Sequence, residues 1–221
     1  MTSPDRTGAG AASLSGALSG ALSGAGEFAV IDAITSGLAV PAGVTVGPGD
    51  DAAVVAAPDG RVVVSTDMLV DGVHFRLDWA TPHQIGRRAA LAAMADVCAM
   101  GALPTALVVA VSAPSATPVA TLTGIAAGLS EAAGELGAGL VGGDLTRSEV
   151  LSIAVTVLGD LRGGHPVLRS GARPGDVVAV AGRLGWAAAG LAVLSRGFRS
   201  PAAVVGAYRV PEPTLSAGPL A

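Results

Sequence analysis

The stretch "VGPGDDAAVV" sets Asp50 and Asp51 side by side between a Gly-Pro-Gly turn and an apolar run. Asp67 follows "VVVST", Asp144 follows "LVGG", and Asp96 lies inside the alanine- and methionine-rich stretch "AALAAMADVCAM". Each carboxylate borders apolar sequence. An isolated buried carboxylate is costly, so such groups are paired, protonated or bound to metal. Two carboxylates 4 Å apart repel by about 4 kcal/mol at an effective dielectric of 20, and a divalent cation reverses the sign. Hard oxygen donors without a histidine or thiol cluster favour magnesium over zinc. Aspartates in turns and caps account for the same residues, with Asp50 simply opening a strand. Asp96 weighs toward the metal, because the middle of a helix offers no cap role.

The chain's 13 basic residues are all arginine, which removes the lysine that a P-loop or a protein-kinase fold requires. Phosphate recognition must therefore use arginine, backbone amides or metal ions. A net charge of −4 gives no bulk attraction for nucleic acid or an anionic membrane. The longest apolar region is cut by Arg87, Arg88, Asp96 and Pro104, so no segment reaches the length of a membrane span. One cysteine, Cys98, excludes an internal disulfide and a multi-cysteine zinc site and fits a reducing cytoplasm. With 51% hydrophobic residues among 221, the chain is a soluble protein with a real core.

The elements that must hold these residues follow from patterning. Residues 1–25, with "LSGALSGALSGAG", are expected to form a flexible Gly/Ser/Ala leader. "EFAVIDAITSGL" reads as a helix with Phe28, Ile31, Ile34 and Leu38 on one side. "AAVVAAP" and "RVVVSTD" flank Pro58-Asp59-Gly60 and read as a hairpin. Thr81, Pro82 and Gln84 form a capping-box signature opening a helix that should stop at Gly101. A strand over "ALVVAVS", a helix over "VATLTGIAAGLSEAAGEL", a short strand over "GLVGGD" ending in a glycine turn, and a strand over "EVLSIAVTVLGD" follow. The composition changes near "LRGGHPVLRSGARPGD", after which "VVAVAG" reads as a strand, "WAAAGLAVLSRG" as a helix, and Thr214 as a further helix start. The expected division is an amino-terminal domain over 26–160, a linker over 161–174, and the incomplete start of a second domain over 175–221.

"GPGDDAAVV", "STDMLVDGVHF", "MADVCAMGA", "LVGGDLTR" and "LRSGARPGD" occur in the order and approximate spacing of thiamine-monophosphate kinases, which the chain resembles over residues 26–221. That family shares a superfamily with aminoimidazole ribonucleotide synthetase. The resemblance implies an α/β (α+β) fold: an amino-terminal mixed-sheet domain that pairs with a second copy into a dimeric barrel, then a carboxy-terminal α+β domain. It implies that Asp51, Ser65, Thr66, Asp67, Asp96 and Asp144 ligate several Mg2+ ions around the ATP phosphates. Gly143 and Asp144 correspond to a nucleotide-binding turn, Arg169 to an ATP-contacting arginine, and His74 to a substrate-contacting histidine. The implied reaction is direct transfer of the ATP γ-phosphoryl group to thiamine monophosphate, giving thiamine diphosphate, in a cytoplasmic homodimer of thiamine biosynthesis. No residue is assigned as an acid or base, and Asp50, Asp71 and Arg147 receive no role.

Two departures stand beside the resemblance. The family's later "DxSDG" and "GGEDYE" type segments are absent from this sequence, and Glu135 and Leu136 stand where the family tends to carry an aromatic residue. The alternatives are another ATP-dependent enzyme of the superfamily with a different acceptor, or a non-catalytic dimerisation fragment that binds magnesium and nucleotide.

Overall fold

The computed structural model describes residues 20–49 and 51–220; Asp50 and the first nineteen residues of the expected leader lie outside them. Among the described residues, six α-helices and six strands follow one another along the chain. The helices are α1 (Leu22–Ala25), α2 (Glu27–Thr35), α3 (Pro82–Ala99), α4 (Val119–Gly134), α5 (Trp186–Ser195) and α6 (Ala202–Arg209). The strands are β1 (Val44–Val46), β2 (Val54–Val55), β3 (Val63–Val70), β4 (Leu103–Ala113), β5 (Gly139–Arg147) and β6 (Ser152–Asp160). The main sheet has the order β3-β6-β4-β5. β6 is antiparallel to both its neighbours, whereas β4 and β5 are parallel, so the expected mixed sheet is present.

Alternation along β6 buries Ile153, Val155 and Val157 on one face, and α3 and α4 supply the opposing core with Ile85, Met94, Val97, Ile125 and Leu129. The other face has no covering layer among the described residues and exposes Val64, Met68 and Val108. α3 begins as its signature predicts. Thr81 Oγ1 accepts the Gln84 N–H, and Gln84 Oε1 accepts the Thr81 N–H. It ends where Gly101 adopts a φ of 81°.

The α3–α4 crossing is unusually close because Gly86 and Gly128 face it. Across the outer end of that crossing, His83 Nε2 lies 2.7 Å from Glu131, and Arg87 pairs with Glu131 and Glu135. The His83 hydrogen bond, followed by Arg87, holds the Glu131 carboxyl below its ordinary value of 4.5. A carboxylate whose folded-state value is depressed stabilises the fold above 4.5, and that contribution is lost as pH falls through the lower folded-state value. The stability difference between the natural chain and Glu131→Gln, read from urea midpoints, is therefore expected to be small but present at pH 7 and to vanish as pH falls through the depressed folded-state value. The carboxylate is solvent-exposed, which keeps the effect small.

Several expectations are corrected. The two valine runs do not form a hairpin: β2 pairs with β1, and β3 pairs with β6, far downstream in the sequence. Gly60 does close a turn by donating to the Ala57 carbonyl, so the turn was legible although its partners were not. Residues 20–25 are seated rather than free: Leu22 is buried, its N–H donates to the Thr117 carbonyl, and the Val119 N–H donates to the Gly20 carbonyl. Of the residues assigned to one side of that helix, Ile31, Ile34 and Leu38 pack partly buried against the core, whereas Phe28 is 81% exposed. "VVAVAG" forms no strand: Val177 and Val178 are almost fully exposed, with no neighbouring backbone to pair with among the described residues. After Thr214 there is a 3-10 turn over Leu215–Leu220 in place of an α-helix.

α5 and α6 pack on each other and dock back on the sheet domain. Trp79 and Tyr208 meet edge to face, Arg88 donates to the Tyr208 carbonyl and stacks over its ring, and Arg209 Nε donates to the Trp79 carbonyl.

Candidate functional site

β3 is an edge strand, and its alternation sorts the "STD" triplet between two faces. Ser65 and Asp67 are in register with the buried Val157 and Val155, so both lie on the helix-covered face. Thr66 is in register with Thr156 and lies on the open face. Ser65 and Asp67 are two residues apart on one face, about 7 Å along the strand.

Helix α3 runs over this edge and brings Asp96 to it. Ser65 Oγ donates to Asp96 Oδ2 at 3.0 Å, joining two groups separated by 31 residues of sequence. Asp96 sits in the last turn of α3, where the exposed carbonyls carry partial negative charge and a carboxylate is electrostatically unfavourable. Its pairing with Ser65 gives it one donor and leaves the second oxygen available. Asp67 Oδ1 accepts the Met68 N–H at 2.8 Å.

Gly143 and Asp144 stand in the body of β5 rather than in a turn. A Cβ on Gly143 would lie 2.1 Å from the Val109 carbonyl oxygen, so the close approach to β4 accounts for that glycine. Asp144 is in register with Ala110, on the open face with Thr66. Three strand spacings separate them, about 15 Å with the offset between their rows. Asp51 is exposed at the bend before β2. Arg169 is exposed and opens a short 3-10 turn over Arg169–Gly171, and Arg147 ends β5.

His74 lies in the exposed loop after β3. Its Nδ1 accepts the Val70 N–H at 3.0 Å, which fixes the ring and places the proton of the neutral imidazole on Nε2. Close by, Asp71, Gly72, Arg76, Leu77, Asp78 and Glu149 help line a shallow cleft of about 460 Å³. Arg76 forms a two-pronged pair with Asp78, and that contact pulls the Asp78 carboxyl below its ordinary value. Burial pushes the Cys98 thiol up, in keeping with the packing role expected of it.

Among the described residues no three histidine, cysteine or acidic side chains gather closely enough to cage a metal ion. Magnesium rarely uses such a cage; it keeps water ligands and binds through one or two carboxylates plus substrate phosphates. An all-oxygen set of Ser65, Asp67 and Asp96 on one strand edge fits that mode. Thr66 and Asp144 are not brought to that edge. Thr156 was not singled out from the sequence, although alternation in "LSIAVTVLGD" places it with the polar side of its strand.

Residues 49–161 match the family described as AIR synthase related protein, N-terminal domain. The thiamine-monophosphate kinase of Mycobacterium tuberculosis is 51% identical over 193 residues, covering 87% of this chain and 58% of that protein. The crystal structure of thiamine-monophosphate kinase from Stenotrophomonas maltophilia superposes with a TM-score of 0.72 at 30% identity, over 86% of this chain and 61% of its own. AaThiL complexed with AMPPCP and TMP superposes with a TM-score of 0.68 at 27% identity, over 87% and 61%. The chain thus spans 58% of the length of the mycobacterial relative.

Proposed function

The chain belongs to the AIR synthase related proteins through their N-terminal domain, and from that membership we propose that it serves the ATP-dependent phosphorylation of thiamine monophosphate to thiamine diphosphate. The observation that carries the reading is the Ser65–Asp96 contact beside Asp67, an oxygen-donor edge in a chain without lysine. The names of the relatives, and the ATP analogue and TMP held by AaThiL, support the choice of substrates.

The acceptor is a phosphate oxygen already anionic near neutrality, so no general base is needed. The oxygen of thiamine monophosphate forms a bond to the γ-phosphorus as the bond to the β-bridging oxygen breaks, and ADP leaves with that electron pair. The demand is to hold two polyanions in line. Ser65, Asp67 and Asp96 would hold magnesium, with Asp51 and Asp144 as further donors to ions at the nucleotide. Magnesium, when bound, neutralises charge on the β- and γ-phosphate oxygens. Arg169 supplies a permanent cation for ATP, and the Nε2–H of His74 donates to the substrate. Asp144, on the open face of β5, would serve an ion or nucleotide on that side of the sheet.

The open face, with Val64, Met68 and Val108 exposed, suits a second copy of the chain, giving the homodimer. A single buried cysteine supports a reducing cytoplasm.

Incubation with ATP, magnesium and thiamine monophosphate, followed by chromatographic separation of the thiamine phosphates, is expected to yield thiamine diphosphate and ADP in equal amounts. Activity with an aminoimidazole precursor or with selenide instead would favour another reaction of the superfamily. Tight nucleotide binding with no product from either acceptor would favour a binding module.

A further inference from the structure

The last carbonyls of an α-helix have no partner within it, so whatever completes them also fixes the final turn. In α3 the turn that carries Asp96 is closed partly by its own chain: the Met100 N–H donates to the Asp96 carbonyl, and the Gly101 N–H to the Cys98 carbonyl. The Met100 carbonyl is taken from far downstream, by the Val167 N–H at 2.9 Å. Val167 belongs to the expected linker, and the same segment reaches the other element of the site. Arg61, just before β3, donates to the Gly164 carbonyl at 3.1 Å. Residues 164–167 thus bridge the end of α3 and the entry to β3, the two elements that meet in the Ser65–Asp96 contact. A second segment grips the same turn. The 3-10 turn over Leu215–Leu220 packs on α3, and a Cβ on Gly218 would lie 1.9 Å from the Cys98 carbonyl oxygen and 3.1 Å from the Ala99 backbone nitrogen. Gly218 does not take a positive φ, so this close approach, rather than the turn, accounts for the glycine. Val210 and Leu215 pack partly buried against the main core and anchor the segment.

We propose that residues 164–167 and 215–220 form a double clasp on the last turn of α3, through which the downstream part of the chain sets the seating of Asp96 on Ser65, with Gly218 and Leu215 as positioning residues for the nucleotide site. Release of either segment frees the turn and lets Asp96 drift from the sheet edge. The positioning role rests on the magnesium reading of Asp96, whereas the clasp itself does not.

The test uses the whole chain and two readouts. Cys98, the chain's single cysteine, lies in the clasped turn and is 2% exposed, so its rate of alkylation by iodoacetamide reports release of that turn. Calorimetry of the non-hydrolysable ATP analogue AMPPNP with magnesium reports the seating of Asp96. Gly218→Val, which drives a side chain into helix backbone, is expected to speed alkylation at least about tenfold. Leu215→Ala, which removes the anchor without a clash, is expected to speed it about threefold. Both rates should depend little on low urea, the mark of a local opening. Gly218→Val is also expected to weaken magnesium-dependent binding about tenfold in the natural chain and not at all in the Asp96→Asn background, where the carboxylate to be seated is gone. Because coupling is reciprocal, saturating AMPPNP and magnesium should slow alkylation of the natural chain. Unchanged alkylation in both variants, or acceleration only at urea concentrations that unfold the whole chain, overturns the clasp. An equal loss of affinity in the two backgrounds overturns the positioning role. If the natural chain binds the analogue without regard to magnesium, the functional reading fails, and alkylation still decides the clasp.

Discussion

Asp67→Asn combined with Asp96→Asn is expected to lower magnesium-dependent affinity for an ATP analogue by at least about 100-fold, since each lost carboxylate removes a charge-assisted contact of roughly 1.5–3 kcal/mol. The substitution keeps the size of both side chains, and the Ser65 hydroxyl can still donate to the amide oxygen that replaces the Asp96 carboxylate, so the fold should survive. The thermal readout moves in the opposite direction from the affinity. Asp96 places negative charge at the negative end of α3, and neutralising it is expected to stabilise the helix by about 0.3–1 kcal/mol. A double variant with unchanged or slightly raised Tm and no magnesium-dependent binding identifies these carboxylates as held for chemistry rather than for folding. A double variant that unfolds early, or that binds as the natural chain does, contradicts that assignment.

Gly128→Val should produce the largest loss of stability. A Cβ at this position would lie 2.0 Å from the His83 carbonyl oxygen and 2.8 Å from the Arg87 backbone nitrogen. Both are helix backbone, so no side chain can turn aside, and α3 and α4 must separate. Overpacking costs about 1–3 kcal/mol, and more where the obstacle is backbone, which corresponds to a fall in Tm of roughly 6 °C or more for a chain of this size. The consequence reaches the site, because α3 is the element that carries Asp96 to Ser65. Affinity for the nucleotide is expected to fall with Tm in this variant, whereas Asp96→Asn separates the two. Gly86, which a Cβ would bring 2.0 Å from the Ile125 carbonyl oxygen, forms the reciprocal half of the crossing and should respond in the same way. An unchanged Tm in Gly128→Val would contradict the packing account.

The parts of this molecule that were legible in its sequence are those governed by local rules. The capping box at Thr81 and Gln84, the stop at Gly101, and the period-2 run of β6 depend on a few adjacent residues, and each stands where its pattern puts it. Strand pairing is not local. The turn at Gly60 suggested that the valine runs on either side should pair, but β3 bonds to β6, and nothing near the turn encodes that partner. The same limit explains "VVAVAG", whose composition favours a strand while its surroundings among the described residues supply no edge to join.

The candidate site divides along similar lines. Family motifs identified Ser65, Thr66, Asp67, Asp96 and Asp144, but a motif records order, not which face a side chain takes. Alternation within β3 separates Thr66 from its neighbours, and the length of β5 carries Asp144 into a strand where a turn was expected. Asp96 could be flagged from sequence because a carboxylate has no capping role inside a helix. That Ser65 is its partner follows only from the way α3 crosses the edge of the sheet.

The central claim is that this oxygen-donor edge binds nucleotide through magnesium, and calorimetry of AMPPNP binding with magnesium and with chelator tests it most directly. The account predicts clear binding with magnesium, loss of about 100-fold or more of the affinity in chelator, and no magnesium dependence in the Asp67→Asn, Asp96→Asn double variant. Equal affinity with and without the ion, or magnesium-dependent binding that persists in the double variant, would contradict it.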